Sequence, residues 1–543
     1  MKISILLLLL SIVLPSVSNF ALGDHIRKLQ SVAADKNAAD WGHWGCEDDK
    51  YSSWFSHSNR LIPVYTFGIG LDEFRGPKSV YRDEDRVKKL YGYVPEGTLN
   101  PQAEYFDQTD IAKLQLSAAA AGKKRIILFV FDGMDWQTTW NAAIHAAGKV
   151  GYTSGRGTGL GFQDYRGAKT DFGYFATSPH NEGTKVDVNT QTLKNPGGTQ
   201  RGGYNWNIAG VTPWTRASIL NYCIGQCEEC SQAYTDSASS ASSLCAGVKT
   251  FNDSINVDPV GRQVDSVARK LQKQGFSVGV VSSVPISHAT PAAAYANNVH
   301  RDDYQDLTRD LLGLPSISHP DPLPGVDVLI GSGWGEEKKA DKAQGENYIP
   351  GNTFVTSADM EAVDVSRSPN GRYRVVQRSA GKNGRDALFA AAEEAAQKGE
   401  RLFGYFGAAK GHLPFETADG DYKPTHSVKA RAEVYTEQDL NENPKLADFA
   451  VAALNVLSTN KQGFWLMVES GDVDWANHAN NIDNSIGAVN SGDKAFKAVC
   501  KWIESHGGWD DTALILTADH GHYFFLEKPE ALLPADSSVT AAK

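Results

Sequence analysis

Short, wholly apolar runs recur along this chain with helix-like segments between them, and that alternation limits the possible folds more than any other feature. The runs are RIILFVF at 125–131, SVGVVS at 277–282, VDVLI at 326–330, LFGYF at 402–406, FWLMV at 464–468 and ALILT at 513–517. Runs without polar alternation suit strands buried on both faces of a mainly parallel sheet. Amphipathic stretches at 266–274, 386–398 and 445–457 fall between them. The pattern predicts an α/β fold, a three-layer α/β/α arrangement around a large, mainly parallel central sheet. With 543 residues, 41% of them hydrophobic, the chain can bury a large core. Length alone would suggest several domains, yet α/β enzymes of this size also form one sheet-centred unit. No internal repeat is evident, and the polar, Gly-rich stretch at 151–210, within a region of about 151–230, predicts a loop-rich insertion with small strands, of the kind that carries function or covers a site.

The formal net charge is −11. A nucleic acid or an anionic membrane surface calls for a basic face, so neither is expected as the main partner. An acidic chain can still handle an anionic substrate if metal ions or an arginine concentrate positive charge locally. Lys2, the apolar run at 3–13 and the small residues Ser16 and Ser18 have the form of a secretory signal over residues 1–18. A second candidate cut follows Ala21-Leu22-Gly23. The run is far short of the roughly 20 residues of a membrane span. Export to a periplasmic or extracellular location is therefore expected, with no membrane span. Cys223, Cys227 and Cys230 form a tight cluster, for which one or two disulfides closing a surface loop are expected over a metal centre. Cys245 and Cys500 are expected to be buried, and Cys46 stands alone.

Ligands in such folds gather beyond the carboxyl ends of the strands. Asp132 follows the first run; Glu469, Asp474 and His478 follow the fifth; Asp519, His520 and His522 follow the last; His288 and Thr290 follow the second. One carboxylate at a strand end is ordinarily a turn residue. Convergence from four strand ends points to metal ligation, with His and Asp suiting zinc and an all-oxygen set suiting magnesium. Asp474 and His478 are one helical turn apart, so both can face one ion. The stretch Thr235-Asp236-Ser237-Ala238-Ser239 reads as a helix start made of small residues, whose amides favour a phosphate. Ser237 is the candidate nucleophile there, and a serine near neutral pH needs a base or a metal to activate it.

These segments resemble the alkaline phosphatase family. TDSASSASSLCAGVKTFNDSINVD from Thr235 is similar to its nucleophile segment. FDGM at 131–134, HATPAAAYANNVHR at 288–301, VESGDVDWANH at 468–478 and TADHGH at 517–522 follow in the family's order. The resemblance runs from about residue 124 to 525. It implies a phosphate monoesterase acting through a phosphoserine at Ser237, with two Zn2+ and one Mg2+, activity that peaks at alkaline pH, and small-molecule phosphate monoesters as substrates. It further implies that Asp132, Asp519 and His520 hold one zinc, and that Asp474 and His478 hold the other. Asp132, Thr290 and Glu469 would hold magnesium, and Arg301 would clamp two phosphate oxygens. His522 would steady an aspartate ligand, while His288 and Trp475 occupy positions that vary within the family. Residues 19–543 are expected as one such domain, and the oligomeric state is left open, a homodimer being one option.

One departure stands out. The family's second zinc takes a histidine well downstream of the TADH-type motif, and no histidine lies between His522 and Lys543, so the expected alternatives are a defective site, a truncated chain or a ligand from elsewhere. HSNRLIPVYTFG at 57–68 resembles that late segment, which predicts that His57 supplies the ligand from a terminal strand relocated to the N-terminal region, as in a circular permutation. His412 and His426 are the alternatives. A phosphodiesterase or sulfatase of the wider superfamily would share the metal aspartates, and a secreted, non-catalytic zinc- or phosphate-binding protein is the rival outside enzymology.

Overall fold

The computed structural model describes residues 20–227 and 232–534. The signal-like segment at 1–18 and Cys230 lie outside the described residues. A ten-stranded sheet organises the chain. Its strands in chain order are β1 (Leu61–Phe67), β2 (Phe106–Asp107), β3 (Arg125–Phe131), β4 (Thr170–Ala176), β5 (Ser277–Pro285), β6 (Val328–Ser332), β7 (Tyr373–Gln377), β8 (Arg401–Tyr405), β9 (Phe464–Ser470) and β10 (Thr512–Thr517). Across the sheet they run β7-β8-β6-β5-β9-β3-β10-β1-β4-β2. All neighbours from β7 to β10 are parallel. Only β1 breaks the pattern, antiparallel to both β10 and β4.

Every apolar run named from the sequence is a strand of this sheet, and β5, β9, β3 and β10 form its centre. The side chains of β9 are buried along its whole length, as are those of β10. That is why these segments carry no polar alternation: helices cover both faces. The helices that matter for the site are α1 (Phe20–Lys36), α2 (Asp110–Ala120), α3 (Trp136–Ala147), α4 (Ser237–Ala246), α5 (Ala289–Ala293), α6 (Gly384–Lys398), α7 (Leu446–Leu457), α8 (Asp472–His478) and α9 (Ile482–Ser505). α3, α6, α7 and α9 pack on one face and α2, α4 and α5 on the other, giving the expected three layers. α1 lies against α9. Among the described residues no helix is long and apolar enough to cross a membrane.

Within the stretch expected as a loop-rich insertion with small strands, Thr170–Ala176 is β4, a strand of the main sheet paired residue for residue with β1. Its sequence, TDFGYFA, mixes polar and aromatic residues because most of its first half is only partly covered. The hairpin Lys185–Asp187 and Thr192–Asn195 lies outside the main sheet. Cys245 and Cys500 are buried as expected, with free thiols. Cys46 and Cys223 are also free, whereas Cys227 is disulfide-bonded.

Candidate active site

Parallel strands point their carboxyl ends to one edge, and four of them end at the same place. Asp132 directly follows β3, Glu469 is the penultimate residue of β9, and Asp519 and His520 follow β10. Thr290 sits on α5, which opens just beyond β5. Asp474 and His478 lie one turn apart on α8, so both face the same space.

His57 arrives by another route. Because β1 runs antiparallel to β10, the residues before Leu61 run alongside those following Thr517. Ser58 and Gly521 exchange both backbone hydrogen bonds, at 2.7 and 3.1 Å. The ring of His57 consequently lies 4.3 Å from that of His520, 4.8 Å from His478 and 5.6 Å from His522, centre to centre. The alternatives fall elsewhere. His412 pairs with Glu433, and His426 with Asp35.

Ligand atoms gather in three groups of close neighbours: Asp132 with Asp519 and His520; Asp474 with His478 and His522; and His57 with Asp474 and His520. Asp474 belongs to two of these, and His522 Nε2 lies 2.7 Å from its Oδ1. Burial and the neighbouring Asp474 and Glu469 push the Asp132 carboxyl far above the carboxylate range. Burial and Asp132 do the same to Asp519. Glu469 is pushed up to about 8, again chiefly by burial. Asp474 goes the other way: burial opposes it, but His478 and His522 hold it well down. The buried oxygens Asp132 Oδ2, Asp519 Oδ2, Glu469 Oε1 and Thr290 Oγ1 close no hydrogen bond. Crowded buried carboxylates with unpartnered oxygens are costly unless cations offset them, and this donor set fits metal ions.

Ser237 opens α4, and its hydroxyl faces the metal-ligand groups. Its Oγ lies 3.1 Å from His520 Nε2 and 3.4 Å from Asp132 Oδ1. The preceding Asp236 caps the helix by accepting from the Ser239 amide at 2.9 Å. Arg301 Nη1 donates to Asp236 Oδ2 at 2.9 Å, and Nη2 lies 3.3 Å from His288 Nε2. Burial would raise the Asp236 carboxyl, yet Arg301 keeps it lowered. Trp475 stands on the outer side, its ring 6.0 Å from that of His288.

Two residues of the site went unrecognised in the sequence. Asp236 fixes Arg301 as well as capping α4, and an Asp directly before a run of small residues is a visible cap signal. Gln108 donates to the Asp519 carbonyl at 2.7 Å and to Ser240 Oγ at 2.8 Å, steadying the turn after β10 from behind. It sits between a two-residue strand and a helix, where nothing in the sequence marks it.

Residues 221–531 match the alkaline phosphatase family model. The chain belongs to the alkaline phosphatase family. Alkaline phosphatase 4 of Bacillus subtilis is 29% identical over 289 residues, which are 53% of this chain and 49% of the relative. The Escherichia coli K12 alkaline phosphatase is 27% identical over 309 residues, 55% of this chain and 60% of the relative. The chain thus spans about half the length of the curated relatives it matches. The solved alkaline phosphatase of the Antarctic bacterium TAB5 aligns at 16% identity and a TM-score of 0.41, covering 74% of this chain and 80% of that one. The family match begins at residue 221, so β1, His57 and also Asp132 enter the site from outside the matched range.

Proposed function

We propose that this chain hydrolyses phosphate monoesters and releases inorganic phosphate, with Ser237 as the nucleophile at a site holding two Zn2+ and one Mg2+. The observation that carries the reading is the position of Ser237 Oγ. It sits at a helix start, within 3.1 Å of His520 and 3.4 Å of Asp132, with Arg301 anchored beside it on Asp236.

Asp132, Asp519 and His520 would hold one zinc, and Asp474, His478 and His57 the other, with His522 steadying Asp474. Asp132, Thr290 and Glu469 would hold the magnesium. The ions, when bound, supply Lewis acidity that makes a serine hydroxyl and a water nucleophilic near neutral pH and stabilises the departing oxygen. In the first half-reaction the Ser237 Oγ–P bond forms as the ester P–O bond breaks; the serine loses its proton and the leaving alcohol gains one. Water then cleaves the phosphoserine, returning the hydroxyl to Ser237 and releasing phosphate. Arg301 holds two unesterified oxygens with its planar fork, which favours monoesters over diesters. Asp236 keeps that fork aimed, and the α4 amides favour the phosphoryl group.

His57 completes the second zinc group on a strand relocated relative to the family's order, and its contacts with His478 and His520 support that reading. We also take the chain to be exported, on the signal-like residues 1–18. Mass spectrometry of the Ser237 peptide after incubation with an aryl phosphate tests the function. A phosphorylated Ser237 is expected, together with much faster turnover of the monoester than of its diester. No phosphoserine at any pH, with no turnover, would refute it.

A further inference from the structure

The site opens into a cavity of about 410 Å³. His57, His288, Arg301, Asp474 and His478 line its floor, and Lys410, Phe415, Arg431, Glu433 and Trp475 line its outer part. A phosphoryl group held by Ser237 and Arg301 needs only the floor. Cavities of roughly 300–1,000 Å³ take whole organic ligands, so the outer part is where the alcohol portion of a substrate has to lie.

That outer part comes largely from residues 406–436, the segment leaving β8, which is tied down over the site. Glu433 receives Lys410 Nζ at 2.7 Å, His412 Nε2 at 3.0 Å and the Tyr435 hydroxyl at 2.8 Å. The His412 ring packs 5.0 Å from Trp475 and 4.5 Å from Phe415, so the two apolar walls are held in place. Lys429 reaches across to the Phe55 ring, 3.3 Å from its centre. The negative charge of Glu433 is therefore already engaged. Arg431 is exposed and forms no ion pair among the described residues, and Lys429 meets only an aromatic face. A chain of net charge −11 thus places an uncompensated guanidinium in the lining of its site cavity.

We infer that the outer cavity is a leaving-group subsite that selects phosphate monoesters whose alcohol portion carries a second anionic group, a carboxylate or a second phosphate. Arg431 reads that group and Phe415 and Trp475 flank the carbon skeleton between the two charges. Arginine suits the task because its fork matches either anion bidentately. The inference rests on the monoesterase reading above and assigns its substrate class.

The test is a matched pair, phenyl phosphate and 4-carboxyphenyl phosphate, with the full-length, metal-loaded chain. The readout is the ratio of kcat/KM for the carboxylated compound to that for the plain one. Taking this ratio in each variant relative to wild type cancels the difference in leaving-group reactivity. Arg431→Ala is expected to lower the ratio about ten-fold, the size of one charge-assisted contact, and Arg431→Glu further still, with the effect shrinking as salt is added. Ratios within two-fold of wild type in both variants overturn the subsite while leaving the monoesterase reading intact. A wild-type chain that turns over neither compound overturns both.

Discussion

The imidazole of His57 stands edge-on to that of His520, 4.3 Å from centre to centre, although the two residues lie near opposite ends of the chain. The antiparallel pairing of β1 with β10 creates this contact, and the Ser58–Gly521 bridge prolongs it. His57→Ala is expected to lose one equivalent of zinc and to lower kcat by about 100-fold or more, given that even supporting residues of metal sites cost 10–100-fold. Zinc content by mass spectrometry beside turnover checks this; full zinc with full activity would remove His57 from the site.

Gly133 follows Asp132 with φ +71°, and a Cβ built there would lie 2.6 Å from His522 Nε2. Gly133→Ala is therefore expected to push His522 off Asp474 and to strain the turn. Activity should fall at least about ten-fold, as for other lost supporting contacts at metal centres. The measurement is metal affinity by competition with a chelator, which should weaken in the same variant.

Asp236→Asn separates two tasks of one side chain. Asparagine caps helices about as well as aspartate, so α4 keeps its N-cap, although the Asp253 amide loses the Asp236 Oδ2 to which it donates at 3.1 Å. The charge that holds Arg301 is lost, however, and Arg301 Nη1 no longer has its 2.9 Å partner. The inhibition constant of inorganic phosphate should rise several-fold, roughly the worth of a charge-assisted hydrogen bond. An unchanged constant would show that Arg301 keeps its aim without Asp236.

Burial alone would raise the Glu433 carboxyl, but His412 and Lys410 hold it down to about 2. Its folded pKa thus lies below the unfolded value of roughly 4.3. The associated stability is fully present above that unfolded value and is lost as pH falls toward 2. Glu433→Gln should melt below wild type at pH 6–8, and the gap should begin to narrow below about pH 4.3 and close near pH 2. Thermal melts across that range supply the check.

Much of this was readable because the central strands have no polar face: RIILFVF and FWLMV could only be buried, and the acidic residues following them could only sit at the sheet's carboxyl edge. β4 was not readable in the same way. TDFGYFA lies toward the sheet's edge, paired with β1, and its partly covered side chains leave no apolar run to notice. Gln108 and the Arg431 wall escaped for a related reason, since they act through positions set by distant packing and carry no local pattern. His57 was legible only as a resemblance out of order, and strand direction supplies the geometric reason it can reach the site.

The place of β1 has a consequence for when the protein becomes competent. β1 is made early but hydrogen-bonds to β10, and the central β3 has β9 and β10 as its two neighbours. Pairings between such distant segments form late, because long loops must close first. A chain emerging from a ribosome or a translocation pore with its N-terminus leading cannot bring residues 57 and 520 together until the second of them is out. The candidate metal group of His57, Asp474 and His520 is thereby assembled only after residue 520 has emerged, however early His57 was made.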